Sequence, residues 1–570
     1  MIVDISPSVN AIISQWEEAG ASLFVALRKY LDSSYSLEKE MLSQSKLPKD
    51  LIVRIDTALY SLDHQTATVR STFTRMRNRT VSPIFRLPHE ILSDIFMRVI
   101  FSTLDPTEFE LIETSVTKMY LELYNLLGVC KAWRDVLLER GEFWSIIPIV
   151  NFSPPMREVQ PKRMNLDYFL SGSAGGPKGD LHLLATQPYD PSYDSILPAL
   201  APRFRTVNII TKRRSTIKSI IDVFLNPRLP EPLALSQLSV YQDQGYSYYH
   251  VHPGEKNYVF LPGSSKQELF KELTRKLSVL RVRGAQFHWD RFSFSHRLTE
   301  VYLQDVLLGY DIAAIGFINA LSSASELRVL TLVSVRSFFG GLFCYDSPTR
   351  LQIDFPNLET VFLDDLYFNT LDCFLSSISS RSYRLDIHLS MVHRFLYLLN
   401  EDTLNEDSMV SFKVLYELLR DMPIRKLLIS EGEHGQPSPW ELKELMASVT
   451  RNMELLWVQG WQFDTDYCRV LSYHSIYPDS SNSAPALTSL RITCAQFRDQ
   501  GAFINMLTSY SGKVPEMIVG AAFFDDTSFD RVPVEKLVLE RALKDSIPCI
   551  RLVDSDFTPP EFEGPLWRLW

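Results

Sequence analysis

The first eighty residues of the chain place apolar side chains at helical spacing. One face of the segment 10–31 collects Ile12, Trp16, Leu23, Leu27 and Leu31. A second run alternates steps of three and four residues, as in a coiled-coil heptad, and comprises Ile52, Ile55, Leu59, Leu62, Thr66, Val69, Phe73 and Met76. The pattern predicts an N-terminal helical region, residues 1–80. Two interpretations are open: a helical hairpin that packs on the chain's own next domain, and a seam for self-association.

A further helix is predicted after Pro83 and Pro88, neither of which can continue the preceding one. Pro88 presets the backbone near the first turn, and Glu90 places negative charge at the positive helix end. The apolar residues of this helix cover about half of its circumference; they are Ile91, Leu92, Ile95, Phe96 and Val99. A helix of this length with two apolar sides is expected to contact two different surfaces.

A second apolar segment follows between residues 124 and 145. Leu126, Cys130, Trp133 and Leu137 recur on one helical face, and Val129 and Val136 lie beside them. Phe143 and Trp144 follow as an aromatic anchor. For Cys130, Trp133 and Val136 we expect a plain three-helix core.

From about residue 200 a short strand pattern, apolar-x-x-apolar-x-apolar, returns through the rest of the chain. It comprises Phe204-Val207-Ile209, Leu235-Leu238-Val240, Leu277-Leu280-Val282, Leu298-Val301-Leu303, Leu327-Leu330-Leu332, Leu358-Val361-Leu363, a weaker copy at Leu385-Ile387-Leu389, Ile424-Leu427-Ile429, Met453-Leu456-Val458, Leu487-Leu490-Ile492, Val514-Met517-Val519 and Ile547-Ile550-Leu552. Amphipathic helices are predicted between copies, among them TIKSIIDVFL, DIAAIGFINAL and SPWELKELMASV. The last has a capping box of Ser438 and Glu441 with Pro439 at the first helical position.

Composition narrows the class of protein. The 570 residues are 45% hydrophobic and 22% charged with a formal charge of −10, which argues against general nucleic-acid or anionic-membrane binding. Six cysteines are widely spaced without a C-x-x-C pair, a pattern typical of reduced thiols. Neither a signal peptide nor an apolar run of about 20 residues is present. We expect an intracellular protein, cytoplasmic or nuclear or both.

Motifs of catalysis and cofactor binding give no positive signal. His250 and His252 form an H-x-H, but no third ligand stands at a recognised spacing, so no metal site is expected. The chain has neither G-x-S-x-G nor H-E-x-x-H, and its glycine-rich stretch lacks the G-K-[ST] ending of a phosphate loop. We expect no catalytic, cofactor-binding or metal-ligating residues, and therefore no enzyme. A site assembled from distant residues stays open.

Residues 82–150 resemble the F-box, in the F-box-like form expanded in basidiomycete fungi. The stretches LPHEILSDIF, LLGVCKAWRDV and EFW carry the resemblance, with matches at Leu87, Pro88, Glu90, Ile91, Leu92, Ile95, Phe96, Val129, Cys130, Lys131, Trp133, Arg134 and Trp144. The insert FSTLDPTEFELIETSVTKMYLEL is longer than the family usually carries. It is expected to lengthen the first loop and to add helix.

The resemblance implies docking on the Skp-type adaptor of a cullin-RING ubiquitin ligase. Carried over, the adaptor-binding residues are Leu87, Pro88, Ile91, Leu92, Ile95 and Trp144, and the core residues are Phe96, Val129, Cys130, Trp133 and Val136. On this view the chain is the substrate-recognition subunit of an SCF-type ligase, and its remaining part holds a protein target. The alternative is a ligase-independent F-box and leucine-rich-repeat scaffold or regulatory protein.

Residues 201–570 resemble a leucine-rich-repeat array, joined to the F-box by a linker over residues 151–200. The predicted fold class is thus an α/β repeat: N-terminal helices, a small three-helix F-box and an α/β solenoid shaped as a horseshoe. The family's ninth-position Asn or Cys is replaced by Val306, Val335 and Leu366, and the main rival is a doubly wound sheet.

Two long insertions, residues 243–263 and 338–350, are candidates for target binding. Their candidate contact residues are Tyr246, Tyr248, Tyr249 and Phe339, because aromatic side chains are enriched at recognition surfaces. The competing interpretation is simple variation in loop length, which costs little free energy.

Overall fold

Helices occupy the N-terminal part of the chain, and a large parallel sheet with helices occupies the rest. The computed structural model describes residues 7–43, 50–81, 83–101, 112–150, 180–187, 197–227, 229, 233–243, 257–289, 291–341, 352–379, 382–399, 408–420, 422–431, 436–449, 453–477, 487–524, 531–533, 550–554 and 557. The chain divides into two units, residues 1–94 and 95–570.

The first unit contains two long helices, α1 (Pro7–Ser43) and α2 (Leu51–Val81). A 3₁₀ turn at Pro83–Arg86 separates them from α3, whose full bounds are His89–Phe101. The rings of Trp16 and Phe73 meet edge to face with their centroids 5.7 Å apart, so the start of α1 lies beside the end of α2. The predicted N-terminal helices are therefore confirmed, as an antiparallel pair.

The helical segment predicted around Cys130 is broken in the structure. Helix α4 (Ile112–Val129) ends where Cys130 takes an extended backbone, with φ −162° and ψ 169°, and α5 (Lys131–Glu139) begins directly after it. A 3₁₀ turn at Gly141–Trp144 leads into the first strand. The insert does add helix, because most of α4 lies in it.

The strands of the second unit are short and, with one exception, parallel. In chain order they are β1 (Ile146–Ile149), β2 (Leu181–Ala185), β3 (Phe204–Thr211), β4 (Gln237–Gln242), β5 (Val279–Arg283), β6 (Glu300–Gln304), β7 (Leu307–Tyr310), β8 (Val329–Val333), β9 (Arg336–Phe338), β10 (Thr360–Asp364), β11 (Arg384–Leu389), β12 (Ile424–Ser430), β13 (Leu455–Gln459), β14 (Gln462–Phe463), β15 (Ser489–Phe497), β16 (Glu516–Phe524), β17 (Arg531–Pro533) and β18 (Ile550–Leu552). The exception is the antiparallel pair β16 and β17.

Helices alternate with these strands. They are α6 (Leu197–Leu200), α7 (Arg214–Phe224), α8 (Ser265–Thr274), α9 (Asp311–Leu321), α10 (Phe368–Ser377), α11 (Phe412–Leu419), α12 (Pro439–Val449), α13 (Thr465–Val470), α14 (Tyr473–Ile476) and α15 (Gln500–Thr508), with 3₁₀ turns at Ala201–Arg203 and Met391–Arg394. The three helices named from the sequence correspond to α7, α9 and α12. The capping box is present, since the Ser438 N–H donates to Glu441 Oε2 over 2.8 Å.

The main sheet follows the order of the chain. Its strands run β1-β2-β3-β4-β5-β6-β8-β10-β11-β12-β13-β15-β16-β17, while β14 pairs with β15 and β18 with β16. A separate two-stranded sheet joins β7 and β9. Every crossover within the main run therefore steps in one direction, and the right-handed rule for parallel connections then places the helices on one face of the sheet.

The second and third residues of each predicted apolar triplet lie on the strands, and their inward positions are in register. The first residues of most triplets, such as Leu235 and Leu298, precede their strands, and Ile547 lies outside the described residues. Leu303 pairs with Leu332, which pairs with Leu363, and this row of paired residues continues on the next two strands with Ile387 and Leu427. All five of these side chains are buried. The core is thus a set of apolar rows that cross the sheet from strand to strand.

The sheet begins further towards the N-terminus than the pattern indicated. Strand β2 pairs with β3 and β1 pairs with β2, although β1 lies at the end of the predicted F-box and β2 within the predicted linker. Pro148 lies inside β1, which is an edge strand among the described residues, and proline is tolerated in edge strands. The sheet therefore follows the 3₁₀ turn after α5 directly.

Tight turns of one kind close several central strands. The residues that follow β5, β6, β8 and β10 all have a left-handed backbone: Gly284 (φ 67°), Asp305 (φ 53°), Ser334 (φ 48°) and Asp365 (φ 52°). At Gly284 a Cβ would lie 2.1 Å from the Gln242 carbonyl oxygen, so only glycine fits there. These turns line up at the carboxyl ends of the strands, which we call the carboxyl edge.

Candidate protein-interaction site

Helix α3 has two apolar stripes, of which one is buried and the other is exposed. Leu92, Phe96 and Ile100, at spacings of four, are 4%, 1% and 0% exposed. The neighbouring stripe of Ile91, Ile95 and Val99 has the same spacing and is 45%, 36% and 37% exposed. Spacings of four keep each set on one face of a helix, so α3 shows a continuous apolar stripe at its surface.

The buried side of α3 is held by aromatic packing. The rings of Phe96 and Trp133 lie 4.8 Å apart between centroids, in a tilted arrangement. Helix α3 therefore packs through Phe96 on Trp133 of α5. Val136 is also buried, whereas Cys130 and Trp133 are half-buried.

Val129 does not lie in the core where the sequence placed it, since it is 55% exposed. It is the last residue of α4, and the extended backbone of Cys130 interrupts the helical register that would have turned its side chain inwards. The prediction of Val129 as a core residue is wrong for this reason.

The six residues expected at the adaptor differ in accessibility. Pro88, Ile91 and Ile95 are exposed and Leu87 is half-buried. Leu92 and Trp144 are buried, and Trp144 Nε1 donates a hydrogen bond to the Leu137 carbonyl over 2.9 Å. In this conformation the Trp144 ring is buried in the interior, where it supports the turn after α5.

The carboxyl edge carries a second set of exposed apolar side chains. Between residues 181 and 557, the described large apolar residues that are exposed are Leu261, Leu269, Tyr310, Ile312, Met409 and Trp440. All but Leu269 lie between the end of a strand and the first turn of the next helix. Such connections meet at one edge in a parallel sheet, so five of the six share the carboxyl edge.

A buried polar cluster holds this edge in place. Oδ1 of Asp311 accepts hydrogen bonds from Ser337 Oγ and Asn369 Nδ2, each over 2.8 Å, and Oδ2 accepts one from the Gly340 N–H over 2.9 Å. Burial raises the pKa of the Asp311 carboxyl, and these hydrogen bonds oppose the shift. Asp311 opens α9 next to the exposed Tyr310 and Ile312, so the cluster fixes the segment that presents them.

Acidic side chains line the turns at this edge. Burial raises the pKa of Asp305, with Arg283 opposing and the carboxylates of Asp364 and Asp365 reinforcing the shift. Asp365 accepts a hydrogen bond from Ser334 Oγ over 2.8 Å. These groups are satisfied within the protein, and none of the described residues forms a cluster suited to a metal ion.

Asp364, His388 and Ser430 form a hydrogen-bonded chain across three neighbouring strands. His388 Nδ1 lies 2.6 Å from Asp364 Oδ1, and His388 Nε2 lies 2.7 Å from Ser430 Oγ. A carboxylate only accepts, so Nδ1 donates to Asp364, and Nε2 shares the second hydrogen bond with the Ser430 hydroxyl. The order of groups is that of a serine hydrolase triad.

The surroundings of Ser430 do not fit a hydrolase. A serine nucleophile in an α/β hydrolase stands on a strained turn, and the next backbone N–H stabilises the oxyanion. Ser430 instead lies in regular strand β12 opposite Gln459, and the Glu431 N–H donates to the Gln459 carbonyl over 3.0 Å. The chain of three is best explained as a cross-strand clamp.

The candidate target-binding residues are only partly described. Tyr246, Tyr248 and Tyr249 lie outside the described residues, as do His250 and His252. Phe339 is half-buried, and its N–H donates to the Tyr397 carbonyl over 2.8 Å. It follows β9, so it also belongs to the carboxyl edge.

Sequence reasoning missed Asp311, Ser337 and Asn369 as a cluster, and it missed the exposed Ile312 and Trp440. Asp311 and Trp440 stand at helix starts that the sequence did predict. An apolar residue in the first turn of a predicted helix, outside its buried face, was the available signal for Ile312 and Trp440. The pairing of Asp311 with Asn369 had none, because the two are 58 residues apart.

Comparisons with known proteins add no relatives to this description. No protein-family model matches the chain, and no curated protein matches it significantly. Across the part of the chain that is described, none of the helices combines the length and apolar character needed to cross a bilayer.

Proposed function

We propose that this chain is the substrate-recognition subunit of an SCF-type ubiquitin ligase, in which a Skp-type adaptor binds α3 and the sheet-bearing part binds a target protein. The observation that carries the proposal is the exposed stripe of Ile91, Ile95 and Val99 beside a fully buried one. A helix that needed only its own core would show polar residues there. The stripe lies within the segment whose sequence resembles the F-box.

An apolar stripe on a single helix suits a protein partner better than a small molecule. A small ligand needs a concave pocket that buries most of its surface, whereas a helix face is convex. Pro88 at the start of α3 extends the exposed surface, and half-buried Leu87 adjoins it. Catalysis in such a ligase is positional, since the subunit only brings a target close to a ubiquitin-charged enzyme.

The sheet-bearing part is proposed to be a leucine-rich-repeat-like solenoid. Strand order supports it: from β1 to β16 each strand of the main sheet adds beside the previous one in a constant direction. A doubly wound sheet would reverse direction at a switch point between its halves. Val306, Val335 and Leu366, at the positions where the family has its asparagine ladder, are buried, and the cluster of Asp311, Ser337 and Asn369 provides buried polar contacts nearby.

Target binding is assigned to the carboxyl edge. Five exposed apolar side chains collect there, and both insertions predicted to contact a target begin there. Aromatic and large apolar residues on otherwise ordered loops are the usual anchors of protein interfaces. The surface that would face the adaptor and the one that would face the target then use different residues, as a receptor subunit requires.

Adaptor capture tests the proposal directly. The full chain is co-expressed with a Skp-type adaptor and purified by its own tag, as wild type, as Ile91→Asp/Ile95→Asp and as Leu87→Ala/Pro88→Ala. We expect a stoichiometric complex with the wild type and at least a tenfold loss in both variants. The control Ile312→Asp places an aspartate on an exposed isoleucine of the carboxyl edge, away from α3, and should capture normally.

Wild-type protein that binds no adaptor would overturn the proposal. Circular dichroism and thermal unfolding of each variant verify that the loss does not reflect misfolding. Without adaptor binding, the remaining candidate is a ligase-independent scaffold, which the large exposed apolar surface of α1 and α2 favours.

A further inference from the structure

Helices α1 and α2 carry most of the exposed apolar surface of the protein. Of the 33 large apolar residues that are exposed in the described part of the chain, 22 lie on these two helices. The helices contain 37 and 31 residues. Monomeric proteins rarely leave contiguous apolar surface of this extent in water, so these helices are incomplete without a partner.

Helix α1 contacts the heptad seam of α2 at Phe73, whose ring meets that of Trp16, but it leaves most of the seam exposed. Among the seam residues, Ile52, Leu59 and Met76 are exposed by half or more, and Ile55, Val69 and Phe73 by at least two fifths. The partly covered residues of α2 are Leu51, Ala58, Leu62, Thr72 and Asn78. Three of them, Leu51, Ala58 and Thr72, lie on one flank of the seam, directly before the seam residues Ile52, Leu59 and Phe73.

The opposite flank of the seam is open and charged. The seam residues Ile55, Leu62, Val69 and Met76 are each followed by a charged residue. These charged residues are Asp56, Asp63, Arg70 and Arg77, and all four are exposed. We call this column the charged flank. It contains two acids followed by two bases, so a second copy of the same column running the other way presents bases opposite acids.

The relative orientation of the two α2 helices decides whether the charged flank of one copy faces that of the other. In an antiparallel pair of helices the charged flank of one copy faces the charged flank of the other. In a parallel pair it would face the opposite flank, whose residues Leu51, Ala58, Gln65 and Thr72 carry no charge. Only the antiparallel arrangement uses the charges.

One antiparallel register satisfies both the apolar seam and the charges. It places Leu59 opposite Met76 of the second copy, Leu62 opposite Phe73 and Thr66 opposite Val69. In that register Asp56 lies near Arg77 of the second copy and Asp63 near Arg70. Every charged residue of the flank then has an opposite neighbour, and a two-fold axis repeats each contact, as an isologous interface requires.

We propose that the protein forms a homodimer through an antiparallel contact between the α2 helices of two copies, with the charged flank setting the orientation. The α1 helices flank this contact, and the assembly is a four-helix arrangement of two hairpins. The partner is a second copy because the charge column is self-complementary. The proposal is independent of adaptor binding, which uses α3.

Charge inversion tests both partner and orientation on the full chain. Wild type should have twice the chain mass of 65.6 kDa by light scattering at micromolar concentration. Asp56→Arg/Asp63→Arg makes the flank entirely basic, and Arg70→Asp/Arg77→Asp makes it entirely acidic. Each variant alone should show at least a tenfold weaker dimer, because like charges then face each other.

Two combinations restore pairing only in the antiparallel dimer. Mixing the all-basic and all-acidic variants should give a 1:1 heterodimer, and the fourfold inversion within one chain should dimerise like the wild type. Arg75→Asp is the matched control, since Arg75 is an exposed base of α2 outside the seam and its flanks. It should leave the dimer intact.

A wild-type chain that stays monomeric at all concentrations would overturn the proposal. So would a dimer that ignores the charge inversions but is lost in Leu59→Asp, because that result requires a parallel or unrelated seam contact. Circular dichroism confirms that the helices persist in each variant.

Discussion

Asn369 at the second residue of α10 donates a hydrogen bond from Nδ2 to Oδ1 of Asp311 at the start of α9, over 2.8 Å. Both side chains are buried, and Asn369 also accepts from the Tyr397 N–H over 3.1 Å. The two residues tie together the beginnings of two successive helices. They set the position of the strand end and helix start that carry Tyr310 and Ile312.

Removal of this amide should weaken the second unit. Asn369→Ala removes one of the two hydrogen bonds to Asp311 Oδ1 and takes the amide partner from the buried Ser337 carbonyl and the buried Tyr397 N–H. We expect a loss of about 2 to 4 kcal/mol in the free energy of unfolding, because each buried unsatisfied group costs about 1 to 3 kcal/mol. Urea unfolding followed by tryptophan fluorescence measures it. Exposed Asn319→Ala on α9 should stay within about 0.5 kcal/mol of the wild type.

The protein should lose stability in mild acid through His393. This imidazole is fully buried, and burial, together with nearby His388, lowers its pKa from 6.5 to about 4. Between pH 6.5 and pH 4 this histidine is protonated in the unfolded chain but neutral in the folded protein. Its contribution to the free energy of unfolding is therefore complete above pH 6.5 and is lost as the pH falls towards 4. The full shift corresponds to about 3 kcal/mol.

His393→Gln removes this contribution without adding charge. Urea midpoints at pH 7 and pH 4.5 should therefore lie closer together in the variant than in the wild type. His474→Gln changes an exposed histidine and should retain the wild-type difference. An unchanged pH dependence in His393→Gln would assign the acid sensitivity to other groups.

Ser430 should be unreactive despite its contact with His388. The Glu431 N–H is engaged with the Gln459 carbonyl and is not available to an oxyanion. We expect no covalent labelling of the folded protein by a fluorophosphonate probe, measured by mass spectrometry of the peptide that contains Ser430. Labelling that disappears in His388→Ala would instead establish an acyl-transfer site.

Two tryptophans of the sheet-bearing part should respond very differently to truncation. Trp440 opens α12 and is 67% exposed, whereas Trp461 is fully buried after β13. Trp461→Ala should cost about 3 to 5 kcal/mol, because it removes a large core side chain and leaves a cavity. Trp440→Ala should cost less than about 0.5 kcal/mol. A comparable loss at Trp440 would mean that it stabilises the fold rather than being free for a partner.

The strands of the sheet could be predicted from the sequence because their signal is local. A residue such as Leu330 or Val361 belongs to an alternating triplet, and alternation with period two places its side chain on the inner face of any strand it forms. The charge column of α2 is local in the same sense, since it follows from the heptad spacing. The first two strands were not predicted, because β1 contains Pro148 and β2 lies within a segment assigned to a linker.

Contacts between distant residues could not be predicted in this way. The break at Cys130 overrides a periodicity that continues smoothly from Leu126 to Leu137, because Cys130 takes an extended backbone where the pattern implied a continuous helix. The clamp of Asp364, His388 and Ser430 needs three strands in register, and the triplets alone do not align their polar neighbours.

For α3 the sequence by itself determined that apolar residues cover about half of the helix circumference. Only the tertiary structure decided which half is inside: Phe96 packs on Trp133, and Ile95, one position before it, stays at the surface. Helical periodicity depends on the chain alone, whereas burial depends on what another part of the chain brings against the helix.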